Sequence, residues 1–372
     1  MASMLDYMLL HGQESFRDLP FGPVDALVFS QLSYLGYEGG TDLMPARLTS
    51  LRGHMSYGVR KGNNSKLFEL ASSLPRYKNS IALMYVYDFS EKETLQFSAV
   101  SFLLEDGTAF VSFRGTDSTL VGWKEDFMLS FTTPVPAQIK AKEYLDRVSE
   151  ALMCPLRVGG HSKGGNLAVY AAAFCGEKTK DRIMEVYSND GPGFEADIIA
   201  TPEYQSVKAR VNRFIPESSA VGILMEHDSN YTVVQSASHG FYQHDPFSWK
   251  TKQDGFVTSE KTSFSSDVLS ESQRDWFRLL DDEERRFLTD TIFGLLAAGQ
   301  FKTVEDMFDA PRGFKEVLAA LRALPEEDKK KLPGFIKVFF TCIYDGGSRV
   351  VKKRMDLIKD RLEEMIRRAL MK

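Results

Sequence analysis

A short apolar run, Leu156 to Val158, passes into Gly159-Gly160-His161-Ser162-Lys163-Gly164, and an Ala-rich stretch from Gly165 to Phe174 follows, with Gly176 as a stop signal. No other part of the 372-residue chain constrains the fold as tightly. The run predicts a strand and the stretch a helix, so Ser162 falls at a sharp strand-to-helix turn. Neighbouring side chains at such a turn would collide with the backbone, which the glycines at 160 and 164 avoid. The serine hydroxyl then projects from the sheet above the N-terminus of the helix. There the helix dipole favours negative charge, and the N–H of Lys163 can point at a developing oxyanion. A G-x-S-x-G pattern in this context marks Ser162 as a candidate nucleophile.

The surrounding pattern fits such a turn. Residues 24–35 read as an early helix and 62–65 (GNNS) as a loop. Ser98 to Leu104 and Ala109 to Phe113 are strand-like and joined at Asp106-Gly107, a hairpin signal. Ala137 to Leu152 carries apolar residues along one helical face. Glu185 to Ser188 and Arg210 to Ile215 are further strand candidates. Strands and helices thus alternate from about 85 to 215, which predicts a largely parallel sheet covered by helices. With the nucleophile turn, the expected class is an α/β-hydrolase fold over 1–265. A helical region is expected over 266–372. Its signals are a Ser270-x-x-Gln273 capping box, breaks at Pro311, Pro325 and Pro333, and a last segment with Val351, Met355, Ile358, Leu362, Met365 and Ala369 in one stripe.

Bulk properties narrow the function classes. A net charge of -5 gives no general attraction to nucleic acid. The three cysteines, Cys154, Cys175 and Cys342, form no C-x-x-C pair, so neither a disulfide framework nor a zinc site is expected, and no motif asks for a metal or cofactor. Met1 to His11 is partly apolar but lacks a basic flank and carries Asp6, unlike a signal peptide. The chain therefore reads as cytoplasmic. The last segment mixes Lys352, Lys353, Arg354, Arg367 and Arg368 with Asp356, Asp360, Glu363 and Glu364. Packing on the hydrolase core is expected of it rather than binding at a membrane surface.

A second motif, Phe113-Arg114-Gly115-Thr116 with Trp123 and Asp126 beyond it, lies in VSFRGTDSTLVGWKEDF. This stretch resembles the class 3 (fungal-type) triacylglycerol lipases. Paired with GGHSKGGNLA, it looks closer still to a bacterial family of uncharacterised α/β-hydrolase-like proteins related to those lipases. The resemblance spans roughly residues 20–255. It implies a lipase- or esterase-like serine hydrolase acting on a small-molecule or lipid acyl substrate, with Thr116 supplying an oxyanion contact beside the Lys163 N–H. A simpler reading is that Arg114 and Asp117 only pin a tight turn.

A serine nucleophile needs a base, and triads in this fold run in the order Ser, acid, His. The histidines after Ser162 are His227, His239 and His244. His244, in Gln243-His244-Asp245-Pro246-Phe247-Ser248-Trp249, is the first candidate, because the bacterial relatives resemble this segment. His161 is expected to shape the turn, since adjacent side chains there point apart. For the acid, Asp190 in Asn189-Asp190-Gly191-Pro192-Gly193 resembles the pattern of the bacterial relatives. Its structural alternative is an Asx-type turn. The other candidate is Glu217, in Ile215-Pro216-Glu217-Ser218-Ser219. Class 3 lipases carry their Asp in that place, and some relatives have Asp where this chain has Ser218. Thioesterase or amidase chemistry, or a silent scaffold, would share these features. Substrate identity and oligomeric state are not written in the pattern.

Overall fold

The computed structural model describes residues 2–58, 61–225, 231–263, 280–303, 306 and 313–332. Its centre is a mixed nine-stranded sheet. The strands are β1 (Ala46–Arg47), β2 (Ile81–Ser90), β3 (Leu95–Leu103), β4 (Ala109–Phe113), β5 (Leu156–His161), β6 (Ile183–Asn189), β7 (Val211–Pro216), β8 (Thr232–Val234) and β11 (Thr258–Ser259), in that spatial order. A small ribbon pairs β9 (Thr251–Lys252) with β10 (Gly255–Phe256). β4 through β8 are parallel neighbours, while both flanks are antiparallel. Every residue of β4 and β5 is buried, as expected of strands covered on both faces.

Two layers of helices cover the sheet. On one side lie α1 (Met4–His11), α2 (Pro23–Leu32), α3 (Lys61–Ala71) and the short α4 (Pro75–Lys78). Between β4 and β5 the chain forms α5 (Leu120–Met128) and α6 (Pro136–Ala151), and α7 (Lys163–Phe174) follows β5. The short α8 (Glu177–Lys180), α9 (Ala196–Ile199) and α10 (Pro202–Val207) complete this part. The period of two along β4 divides the core. Phe110 joins Phe29 of α2 and Phe102, whereas Val111 and Phe113 join Tyr144 and Leu145 of α6. The α2 layer is locked by Asp25 and Arg76, both fully buried, with Arg76 Nη2 to Asp25 Oδ2 at 2.7 Å and the Tyr77 hydroxyl donating to Asp25 Oδ1. Removing one member of such a pair costs about 3–5 kcal/mol, because the other charge stays buried alone.

One local expectation is overturned. Residues 62–65 are helical, not a loop, and belong to α3. The turn-forming side chains are used for packing instead: Asn64 is buried, accepts from Gln31 Nε2 at 3.0 Å and donates to the Tyr57 carbonyl at 3.0 Å.

Two helices are described in the C-terminal part, α11 (Asp282–Ala298) and α12 (Gly313–Ala323). Residues 270–273, 311, 333 and the last apolar stripe lie outside the described residues. α11 packs against α5. Phe127 and Phe293 meet edge to face with ring centres 5.8 Å apart, and Lys124 pairs with Asp290 at 2.7 Å. Beyond α11, the Lys302 carbonyl accepts the Leu120 N–H at 2.8 Å, and Thr303 bridges Thr119. No described helix is long and apolar enough to cross a membrane.

Candidate active site

β5 ends at His161 and α7 begins at Lys163, so Ser162 alone makes the turn. Its backbone sits at φ 58°, ψ -134°, a region that non-glycine residues adopt only when the surroundings hold them there. The Ser162 N–H donates to the Asn189 carbonyl at 2.9 Å, tying the turn to the end of β6. The glycines are demanded by contact. A Cβ on Gly160 would lie 2.3 Å from the Gly164 carbonyl, and one on Gly164 would lie 2.2 Å from the Phe113 carbonyl oxygen.

Three of the sequence candidates meet here. His244 Nε2 lies 3.0 Å from Ser162 Oγ, and His244 Nδ1 lies 2.5 Å from Asp190 Oδ2. An ionised carboxylate only accepts, so Nδ1 carries the proton and Nε2 is left to accept from the serine hydroxyl. Asp190 is fully buried, and its Oδ1 accepts from the Ser219 hydroxyl at 2.5 Å and the Gly222 N–H at 3.0 Å. Those bonds fix the direction of the carboxylate. The His244 segment is anchored from behind. Fully buried Trp249 donates from Nε1 to the Gln243 carbonyl at 2.7 Å, and Gln243 Oε1 accepts the Ser218 N–H at 2.7 Å.

The other candidates fall elsewhere. Glu217 accepts from the Ser259 hydroxyl, and its backbone N–H donates to the Val234 carbonyl, so it fastens the β7–β8–β11 edge. His239 is exposed, and His227 lies outside the described residues. His161 is buried beneath His244, with ring centres 4.6 Å apart. Its Nε2 lies 2.9 Å from the His244 carbonyl oxygen and its Nδ1 3.1 Å from the Tyr34 hydroxyl, so it holds the turn. Ser219, Gly222, Gln243 and Tyr34 are supports that the sequence reading did not single out. Only Gln243 carried a signal, as part of the Gln-His segment.

Asp190→Asn keeps the size and turn-forming ability of the side chain but removes its charge. A loss of about two to four orders of magnitude in esterase rate is expected, with little change in thermal midpoint. Glu217→Gln is expected to cost less than about tenfold, since it acts only at long range. Rates for the two purified variants against wild type check the ranking, and the reverse order would move the acid to the end of β7.

The Arg114-Gly115-Thr116 turn lies against Ser162. A Cβ on Gly115 would sit 2.7 Å from the His161 carbonyl oxygen and 3.2 Å from Ser162 Cβ. Arg114 and Asp117 do pin this turn, at 3.2 Å, and Asp117 Oδ1 accepts the Thr119 N–H and hydroxyl. The Thr116 hydroxyl donates to Asp126 Oδ2 at 2.5 Å. Lys163 is the first residue of α7, so its N–H has no acceptor within the helix.

Asp126 Oδ1 is sealed from water without a hydrogen-bond partner. Burial pushes its carboxyl up to about 6 from an ordinary 3.8, against the opposing pull of Lys163. The unfolded chain therefore loses this proton first as pH rises. Ionising Asp126 works against folding between about pH 4 and about pH 6, and the penalty is constant above that window. Asp126→Asn cannot ionise, so its thermal midpoint is expected to gain on wild type across that interval and to run parallel above it. A constant difference from pH 4 to 7 would contradict the raised value.

A strand-turn-helix serine on a parallel strand, hydrogen-bonded to histidine and through it to aspartate, is the arrangement of an α/β-hydrolase-type fold. The chain belongs to the Mbeg1-like family, whose profile matches residues 71–294, more than half of its length. No curated protein matches the chain. Among solved structures, similar ones include M37 lipase (13% identity, TM-score 0.36, covering 67% of this chain and 78% of that one). Lipase II from Rhizopus niveus is 11% identical, with a TM-score of 0.39 and coverage of 64% of this chain and 85% of that one. The Rhizomucor miehei lipase propeptide complex is 13% identical, with a TM-score of 0.38 and coverage of 70% and 78% respectively.

Proposed function

We propose that this protein is a serine hydrolase that cleaves an acyl ester through Ser162, His244 and Asp190. The observation that carries the proposal is the continuous path from Ser162 Oγ to His244 Nε2, 3.0 Å, and from His244 Nδ1 to Asp190 Oδ2, 2.5 Å. In this reading His244 takes the hydroxyl proton as Ser162 attacks the acyl carbon, and Asp190 stabilises the imidazolium that forms. The backbone N–H groups of Lys163 and Thr116 receive the charge on the carbonyl oxygen, the Thr116 hydroxyl being engaged with Asp126. His244 then returns the proton to the leaving alcohol, and water releases the acyl group by the same steps in reverse order. The substrate is a small-molecule or lipid acyl ester. In this reading the hydrolase unit is residues 1–265 and a helical region is 266–372, and the protein works in the cytoplasm, which the free thiols of Cys154 and Cys175 favour.

A p-nitrophenyl ester series from acetate to palmitate, run beside a matched thioester and anilide, tests this. Esters are expected to be cleaved fastest, with an optimum at one chain length. Faster thioester or anilide cleavage would reassign the leaving group while keeping the machinery. No turnover of any substrate would favour a catalytically silent hydrolase fold.

A further inference from the structure

The side chain of Lys163 points away from the site into a buried polar cluster. Lys163 is 1% exposed and Glu125 is 0% exposed. All three ammonium protons have acceptors: the Gln96 carbonyl at 2.9 Å, Gln96 Oε1 at 2.8 Å and Glu125 Oε2 at 2.9 Å. Glu125 also accepts the Gln96 N–H at 3.1 Å and the Ala137 N–H at 2.8 Å. The first residue of α7 is therefore joined through one carboxylate to α5, to the start of β3 and to the start of α6. Such a pair is an expensive way to gain stability. Well-packed apolar residues of the same volume generally do as well or better, because desolvating two charges offsets their attraction. What a saturated pair adds is geometry, since each proton has only one acceptor direction available.

Glu125 is followed in the chain by Asp126, which holds the Thr116 hydroxyl, and Lys163 itself carries the backbone N–H opposite. We propose that the Lys163–Glu125 pair is a positioning device for the oxyanion site, setting the spacing between its two donors, the backbone N–H groups of Lys163 and Thr116. The inference rests on the acyl-transfer reading above. The tether does not touch His244 or Asp190, so its loss should disturb the site for the oxyanion and leave the Ser-His-Asp path in place.

The test uses the full chain with p-nitrophenyl butyrate. Lys163→Met keeps the length of the side chain without its charge. Its kcat is expected to fall about 100-fold, with KM changed by less than about threefold, as for misalignment of one oxyanion donor. The downfield proton resonance of the His244–Asp190 pair should keep its wild-type position. Lys163→Met also leaves Glu125 as an uncompensated buried charge, so it is paired with Lys163→Met/Glu125→Gln. The double variant removes the lone charge, so its thermal midpoint is expected to rise above that of Lys163→Met while its kcat stays as low. A kcat that returns to wild type in the double variant, or a kcat for Lys163→Met within about threefold of wild type, would overturn the inference and reduce the pair to a packing element. Wild-type protein that neither turns over the ester nor reacts with a fluorophosphonate would instead overturn the acyl-transfer reading, and this inference with it.

Discussion

Ser162→Ala is expected to lower esterase activity by about six orders of magnitude, to the residue left by substrate binding and the oxyanion donors alone. The size of the effect follows from the chemistry: without the hydroxyl no acyl intermediate forms, and His244 has nothing to deprotonate. The fold should survive. Both serine and alanine carry a Cβ, so the positive φ at this position costs each about the same. The glycine contacts at 160 and 164 and the Ser162 N–H bond to the Asn189 carbonyl do not involve the hydroxyl. Rate and thermal midpoint measured together separate loss of chemistry from loss of structure. Residual activity above about one per cent would show that the serine is not the nucleophile.

His244→Ala is expected to cost nearly as much, and the double variant with Ser162→Ala hardly more than either alone. A serine without its base and a base without its serine are both inert, so the two losses do not add. The imidazole is held on three sides: Ser162 at 3.0 Å, Asp190 at 2.5 Å and the His161 ring beneath it. Alanine removes all three contacts but leaves the backbone anchors at Gln243 and Trp249, so the loop should keep its path. A double-mutant cycle on ester hydrolysis checks this. Additive losses would show that the residues act separately, and a fully active His244→Ala would transfer the base to His239 or His227.

The parts of this arrangement that could be read from the chain are the local ones. The Gly160–Gly164 spacing signals a turn because the steric demand acts within five residues, and the strand and helix around it carry their own periodicity. The choice between Asp190 and Glu217 was not readable in the same way. Both stand at the end of a parallel strand, and what separates them is a set of long-range contacts. Ser219 and Gly222 reach back from the loop after β7 to Asp190, while Glu217 turns toward Ser259. In the 62–65 segment, Gly and Asn prefer turns when considered alone, but burying Leu67, Phe68 and Ala71 and pairing Asn64 with Gln31 outweigh that preference. For Lys163 the pattern pointed to the backbone N–H only. The side chain's partner, Glu125, lies 38 positions away, between Trp123 and Asp126 of the second motif, where nothing local marks it as a partner of Lys163.

The most direct test is covalent. A fluorophosphonate reacts with a serine that is activated by a base and flanked by oxyanion donors, whatever the natural substrate. Wild-type protein incubated with the probe, digested and mapped by mass spectrometry is predicted to carry one adduct, on Ser162, that is absent from Ser162→Ala and strongly reduced in His244→Ala. An unlabelled wild type, or an adduct on a different residue that persists in Ser162→Ala, would contradict the assignment of Ser162 as the nucleophile.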